Sequence, residues 1–483
     1  MPIASILLIV YMGYILLAGG SSKEKYLSFL VLATLMAIAM PQGYLLKIGD
    51  TEISSLRKLS GLMCFLYGLY YILIHRLRLS QKIIVRSGLL LGSLMVGILV
   101  AIVYPYTEPI IPPLPDYSWD LYTIGECTKI VAPLEIGNAL RLYLGVVMFL
   151  GVVASVKAIC NDDDLTTVLR KVIVYSQPLA YYGIFEFVEK NILGDLTLTF
   201  DINEIVFGVG ESTFIHAFTK GGDLYVLQGV TKESSHFILS MFILALSILV
   251  WNKIQKVHFH RDGFSFYHVY LLLLIALMVL SGGFSAWWCI FILLLIYFAL
   301  RYDIYKKTLR ESVPYIITAL MFVLSVLGGI LFFFGEEMEY AIARAEDVFY
   351  TINILAASGT LAAVGAEGEL STFSRLTSIF DVTASVIERP WLGLGIGFQF
   401  ALAALPTMLS DLGLLGLVFW FRVMSVSVGD VRQKYDLVFL SLFVIVWGAF
   451  FGVVTLYVET YVLLLFECTR LYTKGKSEEA ICR

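Results

Sequence analysis

The chain has 483 residues, of which 59% are hydrophobic and 15% charged, against roughly 45–50% and about 25% in an ordinary soluble domain. That composition excludes a soluble enzyme. The 34 basic and 38 acidic residues leave a net charge of −4 without a concentrated basic face, which excludes a nucleic-acid partner.

Long apolar runs separated by short charged segments read as membrane spans of ~20 residues each. Hydropathy places them near 3–18, 27–46, 59–75, 87–104, 139–157, 172–189, 235–251, 267–281, 284–300, 313–334, 400–421, 437–457 and 459–471. The first lacks a basic leader and a cleavage site, so it reads as a retained span. The expected fold class is an all-α integral membrane protein, one polytopic domain over residues 1–483 with about 12–14 transmembrane helices. Basic residues set its orientation. Arg76, Arg78, Lys82 and Arg86, then Lys253, Lys256 and Arg261, then Arg301, Lys306, Lys307 and Arg310, then Arg422, Arg432 and Lys434, and finally Arg470, Lys474 and Lys476, all fall on one side. By the positive-inside rule that side is cytoplasmic, as is the C-terminus. Three long segments then face outward: 105–138, 191–234 and 335–399. Chemistry is expected there, because loops of that length are functional or disordered.

Six cysteines without Cys-x-x-Cys or Cys/His spacing predict neither a metal nor a disulfide framework. No cofactor is predicted. Asn161-Asp162-Asp163-Asp164 has the look of the metal-binding Asp-x-Asp of nucleotide-sugar enzymes. It also precedes an amphipathic stretch in a cytoplasmic loop, and the capping reading is the stronger one. His258 and His260 lie among basic residues and read as part of a solvated loop. Lys232-Glu233-Ser234-Ser235-His236-Phe237 is different, since a cation, a carboxylate and an imidazole meet where an outward loop enters a span. Glu233 and His236, three apart, share a helix face; helix capping by Ser234 or Ser235 is the competing reading.

The third outward loop carries Arg344, Arg375 and Arg389, and ends in Pro390-Trp391-Leu392-Gly393-Leu394-Gly395-Ile396-Gly397. Glycines at alternate positions suit either close helix packing or an anion cradle, and the arginine forks match phosphate oxygens. Asp411-Leu412-Gly413-Leu414-Leu415-Gly416 puts an acid inside the next span, where it needs a partner such as Arg375 or Arg389.

In this order the segments resemble the O-antigen polymerase and ligase superfamily of bacterial envelope glycosyltransferases. Thr231 to Phe237 is similar to the polymerases' Glu-Pro-Ser-His-Phe element, with Ser234 where proline is usual. Leu280 to Trp288 resembles the family's short outward turn, and Ser374-Arg375 through Asp411 to Gly416 its C-terminal signature. Val226, Leu227 and Gln228 occupy a stretch where the family often has an arginine. The ligases' histidine ahead of the acid and glycine pair is replaced by Ala403-Ala404-Leu405-Pro406, which favours polymerase over ligase. The resemblance implies an enzyme of the bacterial inner membrane that joins undecaprenyl-pyrophosphate-linked repeat units of a surface polysaccharide at the periplasmic face. It would use neither metal nor nucleotide sugar. Its partners would be the lipid-linked oligosaccharide, the bilayer, a chain-length regulator and a flippase. Glu233 or His236 would serve as base, with Asp411 orienting an arginine; Arg375, Arg389, Lys232 and Arg344 would bind pyrophosphate. An O-antigen ligase, and a flippase or other transporter for the same lipid-linked oligosaccharide, are the alternative readings.

Overall fold

A computed structural model of the chain describes residues 2–39, 44–48, 51–104, 136–195, 197–208, 225–231, 234–254, 266–281, 284–302, 389–396 and 404–428, with scattered positions between 313 and 387. These residues are mostly helical. The elements are α1 (Ile3–Leu17), α2 (Ser22–Ala39), β1 (Tyr44–Ile48), β2 (Thr51–Ser55), α3 (Leu56–Ile74), α4 (Gln81–Val103), α5 (Ile136–Ile159), α6 (Asp162–Tyr175), α7 (Gln177–Phe187), α8 (Thr197–Phe207), α9 (Ser234–Ile254), α10 (Phe266–Leu280), α11 (Phe284–Tyr302) and α12 (Ala404–Val428).

Among the described residues, hydropathy located α1, α3, α4, α5, α9, α10 and α11 to within a few residues. Three places differ. The run read as a span at 27–46 is helical only to Ala39; Tyr44–Ile48 then pairs antiparallel with Thr51–Ser55 in a hairpin, Leu46 opposite Ile53. Apolar content alone does not distinguish a strand from a helix end, and Gly49-Asp50 between two β-competent runs was the available signal. The expected outward loop at 191–234 contains α8. The span read at 172–189 is composite. It begins in the last turn of α6, passes Ser176 into α7 with Pro178 in the first turn, and continues as a π-helical turn over Val188–Leu193.

Local chemistry sets several boundaries. Asn161 closes a capping box on α6: its side-chain oxygen accepts from the Asp164 amide at 2.9 Å, and the Asp164 carboxylate accepts from the Asn161 amide at 2.7 Å. The acidic run is therefore a helix start, as its position in the loop suggested. Ser55 caps α3 by accepting from the Lys58 amide at 3.3 Å.

Helix α2 lies near the centre, against α1, α3, α6 and α9, while α9 also packs on α10 and α11. Tyr26, Phe29, Leu30 and Ile38 of α2 are buried with Phe237, Leu244 and Ile248 of α9 in one continuous core, and Ser240 Oγ donates to the Ile38 carbonyl at 2.6 Å. Among the described residues, Gln81–Val103 and Ala139–Ile159 are long and apolar enough to cross a membrane; α1, 236–252 and α10 are apolar but shorter. Large apolar side chains also face outward, among them Leu7, Val10 and Leu17 on α1, Leu73 on α3 and Leu99 and Val103 on α4.

Helix α12 packs along α4 and is broken at Gly413, whose φ of 64° and ψ of −177° leave the helical region. A break frees backbone donors and acceptors that must find partners elsewhere. The turn at 389–396 supplies them. Leu394 and Gly395 donate to the carbonyls of Ser410 and Asp411 at 2.8 and 3.2 Å, and Leu414 and Leu415 donate to Pro390 and Trp391 at 2.9 and 3.1 Å. Contact at this spacing requires glycine on both sides. A Cβ on Gly393, at φ 67°, would lie 2.3 Å from the Ser410 carbonyl oxygen, and one on Gly413 would lie 2.5 Å from the Gly393 nitrogen.

Between the first turns of α2 and α6, Lys23 forms an ion pair with Asp164 at 2.6 Å. Hydrogen bonding to that carboxylate raises the Lys23 ammonium above its usual range, against a smaller desolvation in the other direction. A raised ammonium contributes stability that is fully present below its unfolded pKa of about 10.4 and is lost as pH rises through the folded value. Lys23→Met should therefore destabilise by no more than about 1 kcal/mol at pH 8, with the difference closing toward pH 12 in thermal melts. The glycine contact carries more. Gly393→Ala combines a backbone clash with a left-handed conformation that costs a non-glycine residue roughly 1–2 kcal/mol, and should largely abolish folded protein by size-exclusion in detergent. Gly92→Ala, in α4 with nothing within 4 Å of the new methyl, should be neutral or gain up to about 1 kcal/mol.

Candidate functional site

The C-terminal end of α7 carries charged and polar side chains that the apolar run conceals. Glu186, Glu189 and Lys190 are buried, the first and last with side chains only 1% exposed. The shift from α- to π-helical winding at Val188 changes the angular spacing of side chains, and such turns are often found at functional sites. Here the winding brings Glu186, Lys190 and Asn191 to the same segment, residues 225–231, which forms a strap across the helix end.

Glu186 is the hub. Its Oε1 accepts from Lys190 Nζ at 2.5 Å and from the Gln228 amide at 3.0 Å; its Oε2 accepts from the Gly229 amide at 2.6 Å. Lys190 Nζ also donates to the Val226 carbonyl at 3.4 Å. Asn191 acts like a neighbouring strand toward Tyr225, accepting from its amide at 2.5 Å and donating to its carbonyl at 3.3 Å. The strap closes on itself where the Thr231 amide and hydroxyl donate to the Gln228 carbonyl at 3.1 and 2.7 Å. Glu189 serves α8 instead, accepting from the Thr199 amide at 3.0 Å and from its hydroxyl, which satisfies a first-turn donor.

Phe237 holds the strap from the other side. The ring lies between α7 and the strap so closely that a Cβ on Gly183 would come within 2.8 Å of it and one on Gly229 within 2.6 Å. Gln228 is 1% exposed, and neither its side-chain nitrogen nor its oxygen has a hydrogen-bond partner among the described residues.

Of the residues expected to form the site, His236 stands in the first turn of α9, half-buried, one residue before the Phe237 wedge. Lys232, Glu233, Arg344 and Arg375 lie outside the described residues, as do His258 and His260. Arg389 begins the turn that fills the α12 break, and its guanidinium donates to the Tyr104 carbonyl at the end of α4. Asp411 is 6% exposed, two residues before the break. The strap's contacts run to α7 and α9, the turn's to α4 and α12. Of the two readings for the glycine run, close packing is the geometry found: the amides of Gly393, Leu394 and Gly395 donate to the carbonyls of Arg389, Ser410 and Asp411. They are not donors to an anion.

Glu186, Glu189, Lys190 and Gln228 were missed from sequence. Two acids and a lysine inside an otherwise apolar run were the available signal, because an ionisable group there is a functional-site candidate by default. No protein-family model, no curated protein and no solved structure matches this chain.

Removing one partner of a buried pair strands the other charge and costs about 3–5 kcal/mol, whereas replacing both with apolar residues is often neutral. Glu186→Leu and Lys190→Leu should each lower the melting temperature in detergent sharply. The double substitution should cost clearly less than the sum of the two, read from a double-mutant cycle.

Proposed function

We propose that this chain is a multi-pass protein of the bacterial inner membrane, its C-terminus cytoplasmic, that polymerises a surface polysaccharide. In this reading it is a metal-independent glycosyltransferase of the O-antigen polymerase type, joining undecaprenyl-pyrophosphate-linked repeat units at the periplasmic face. The observation that carries the reading is the buried Glu186–Lys190 node, which anchors the residues leading directly into Lys232, Glu233 and His236. It also brings a cation to the Val226 carbonyl, in the stretch where the resembled family often has an arginine.

Sidedness supports a membrane bundle. Lys23 meets Asp164, and Arg86 donates to the Arg422 carbonyl at 2.8 Å; all four belong to segments that the basic-residue count assigns to the cytoplasm. Arg389 meets Tyr104, and Lys190 meets Val226, pairs that the same count puts on the outer side. A miscounted span between the members of a pair would put them on opposite sides. The outward-facing apolar side chains of α1, α3 and α4 are those a bilayer would cover.

The chemistry follows from what the reaction requires. A sugar hydroxyl attacks the anomeric carbon of the lipid-linked donor, and undecaprenyl pyrophosphate leaves with the bonding electrons. Glu233, or His236 in its place, takes the hydroxyl proton. Arg389 and Arg375, with Lys232 and Arg344, stabilise charge on the departing pyrophosphate, and Asp411 orients an arginine from within the bundle. Among the described residues, the break in α12 is a feature that favours a flippase, since transporters expose freed backbone to substrate at such breaks. Here the turn at 389–396 takes the freed groups at Ser410, Asp411, Leu414 and Leu415.

In proteoliposomes supplied with lipid-linked repeat units, Glu233→Gln should lower polymerisation by about 10²–10⁴-fold, the usual contribution of a general base, without loss of folded protein. Arg389→Ala should lower it strongly and Arg389→Lys less, because lysine keeps the charge and loses the bidentate fork. Wild-type polymer from both Glu233→Gln and His236→Ala would overturn the assignment.

A further inference from the structure

We propose that Glu186 is a positioning residue, whose buried carboxylate, paired with Lys190, holds the strap 225–231 against Phe237 and thereby sets the first turn of α9, where His236 stands. The proposal rests on the reading that this element carries the acid–base step.

Among the described residues the strap is non-helical, with a single bridge position at Tyr225. Its amides at Tyr225, Gln228 and Gly229 donate to side chains from one short stretch, Glu186 to Asn191. At its far end the chain enters α9 at Ser234, beside the wedged Phe237. Lys232 and Glu233 therefore fall, in chain order, between two clamps. A displacement at Gly229 acts on α9 directly, because Gly229 lies against the ring of Phe237, the residue after His236.

The chemistry of the clamp argues for geometry over stability. An apolar pair would serve folding about as well as a buried ion pair, but only a carboxylate offers enough acceptor sites to take two backbone amides and an ammonium together. Lys190 aims that carboxylate through its hydrogen bond to Oε1, and its bond to the Val226 carbonyl ties the pair to the strap a second time. Such a support holds reacting groups to the tolerance that catalysis needs, where a misplacement of about 1 Å can cost 10²-fold.

The test uses the full chain in proteoliposomes, in a background with its cysteines replaced, and carries a nitroxide at Val230→Cys on the strap. Glu186→Leu/Lys190→Leu removes the clamp without stranding a charge, and Glu186→Gln/Lys190→Met restores one acceptor oxygen without charge. In the first variant the nitroxide should become mobile while the protein keeps its melting transition. Its kcat should fall about 10²-fold with KM changed much less, and the second variant should recover at least part of that loss. An immobile nitroxide in Glu186→Leu/Lys190→Leu would overturn the anchor; a mobile one with unchanged kcat would overturn the positioning role. Full activity in both Glu233→Gln and His236→Ala would overturn the acid–base reading and the proposal with it, and the nitroxide spectra would then report separately whether Glu186 holds the strap.

Discussion

A carboxylate cut off from water must find its hydrogen bonds within the protein, and Glu186 finds them in Lys190 and in two consecutive backbone amides of a segment some forty residues further along the chain. That requirement works in both directions. The strap satisfies the carboxylate, and the carboxylate gives an otherwise irregular stretch a fixed place against α7. The π-helical turn is the local adjustment that allows it, since it lets Lys190 and Asn191 address the strap together with Glu186.

The same accounting explains the broken helix. Where α12 departs from helical geometry at Gly413, the turn at 389–396 binds carbonyls on one side of the break and amides on the other. Irregular backbone among packed apolar helices is tolerated where its polar groups find partners within the protein. In both places a non-helical segment is tied to a helix through polar groups the helix makes available: by side chains at Glu186 to Asn191, by backbone at Ser410 to Leu415. Glycine permits the second and a charged pair the first.

These two junctions bear differently on function. The strap leads into the element that carries a carboxylate, an imidazole and a cation, so its anchoring connects folding with the proposed chemistry. The turn carries Arg389 and sits beside Asp411, but the amides of its glycine run are committed to structure. Anion recognition in the proposed mechanism therefore falls to the arginine and lysine side chains rather than to a backbone cradle.

Periodicity and composition were enough to locate most helices, because a continuous apolar run longer than about 18 residues has few alternatives to being helical. The acidic run at 161–164 was legible as a cap, since capping depends on neighbours three residues away. The pairs Lys23–Asp164 and Arg86–Arg422 each join segments that the basic-residue pattern had grouped together. The hairpin at 44–55, the π-helical turn and the break at Gly413 were not legible, and neither was the role of Glu186. The hairpin is local and turned on an ambiguous apolar run, whereas the others depend on partners distant in sequence: Gln228 and Gly229 for Glu186, Pro390 to Gly395 for the broken helix. Hydrophobic pattern is a local property and was readable by itself; which buried polar group satisfies which other one is decided only when the chain has folded and the two come within about 3 Å of each other.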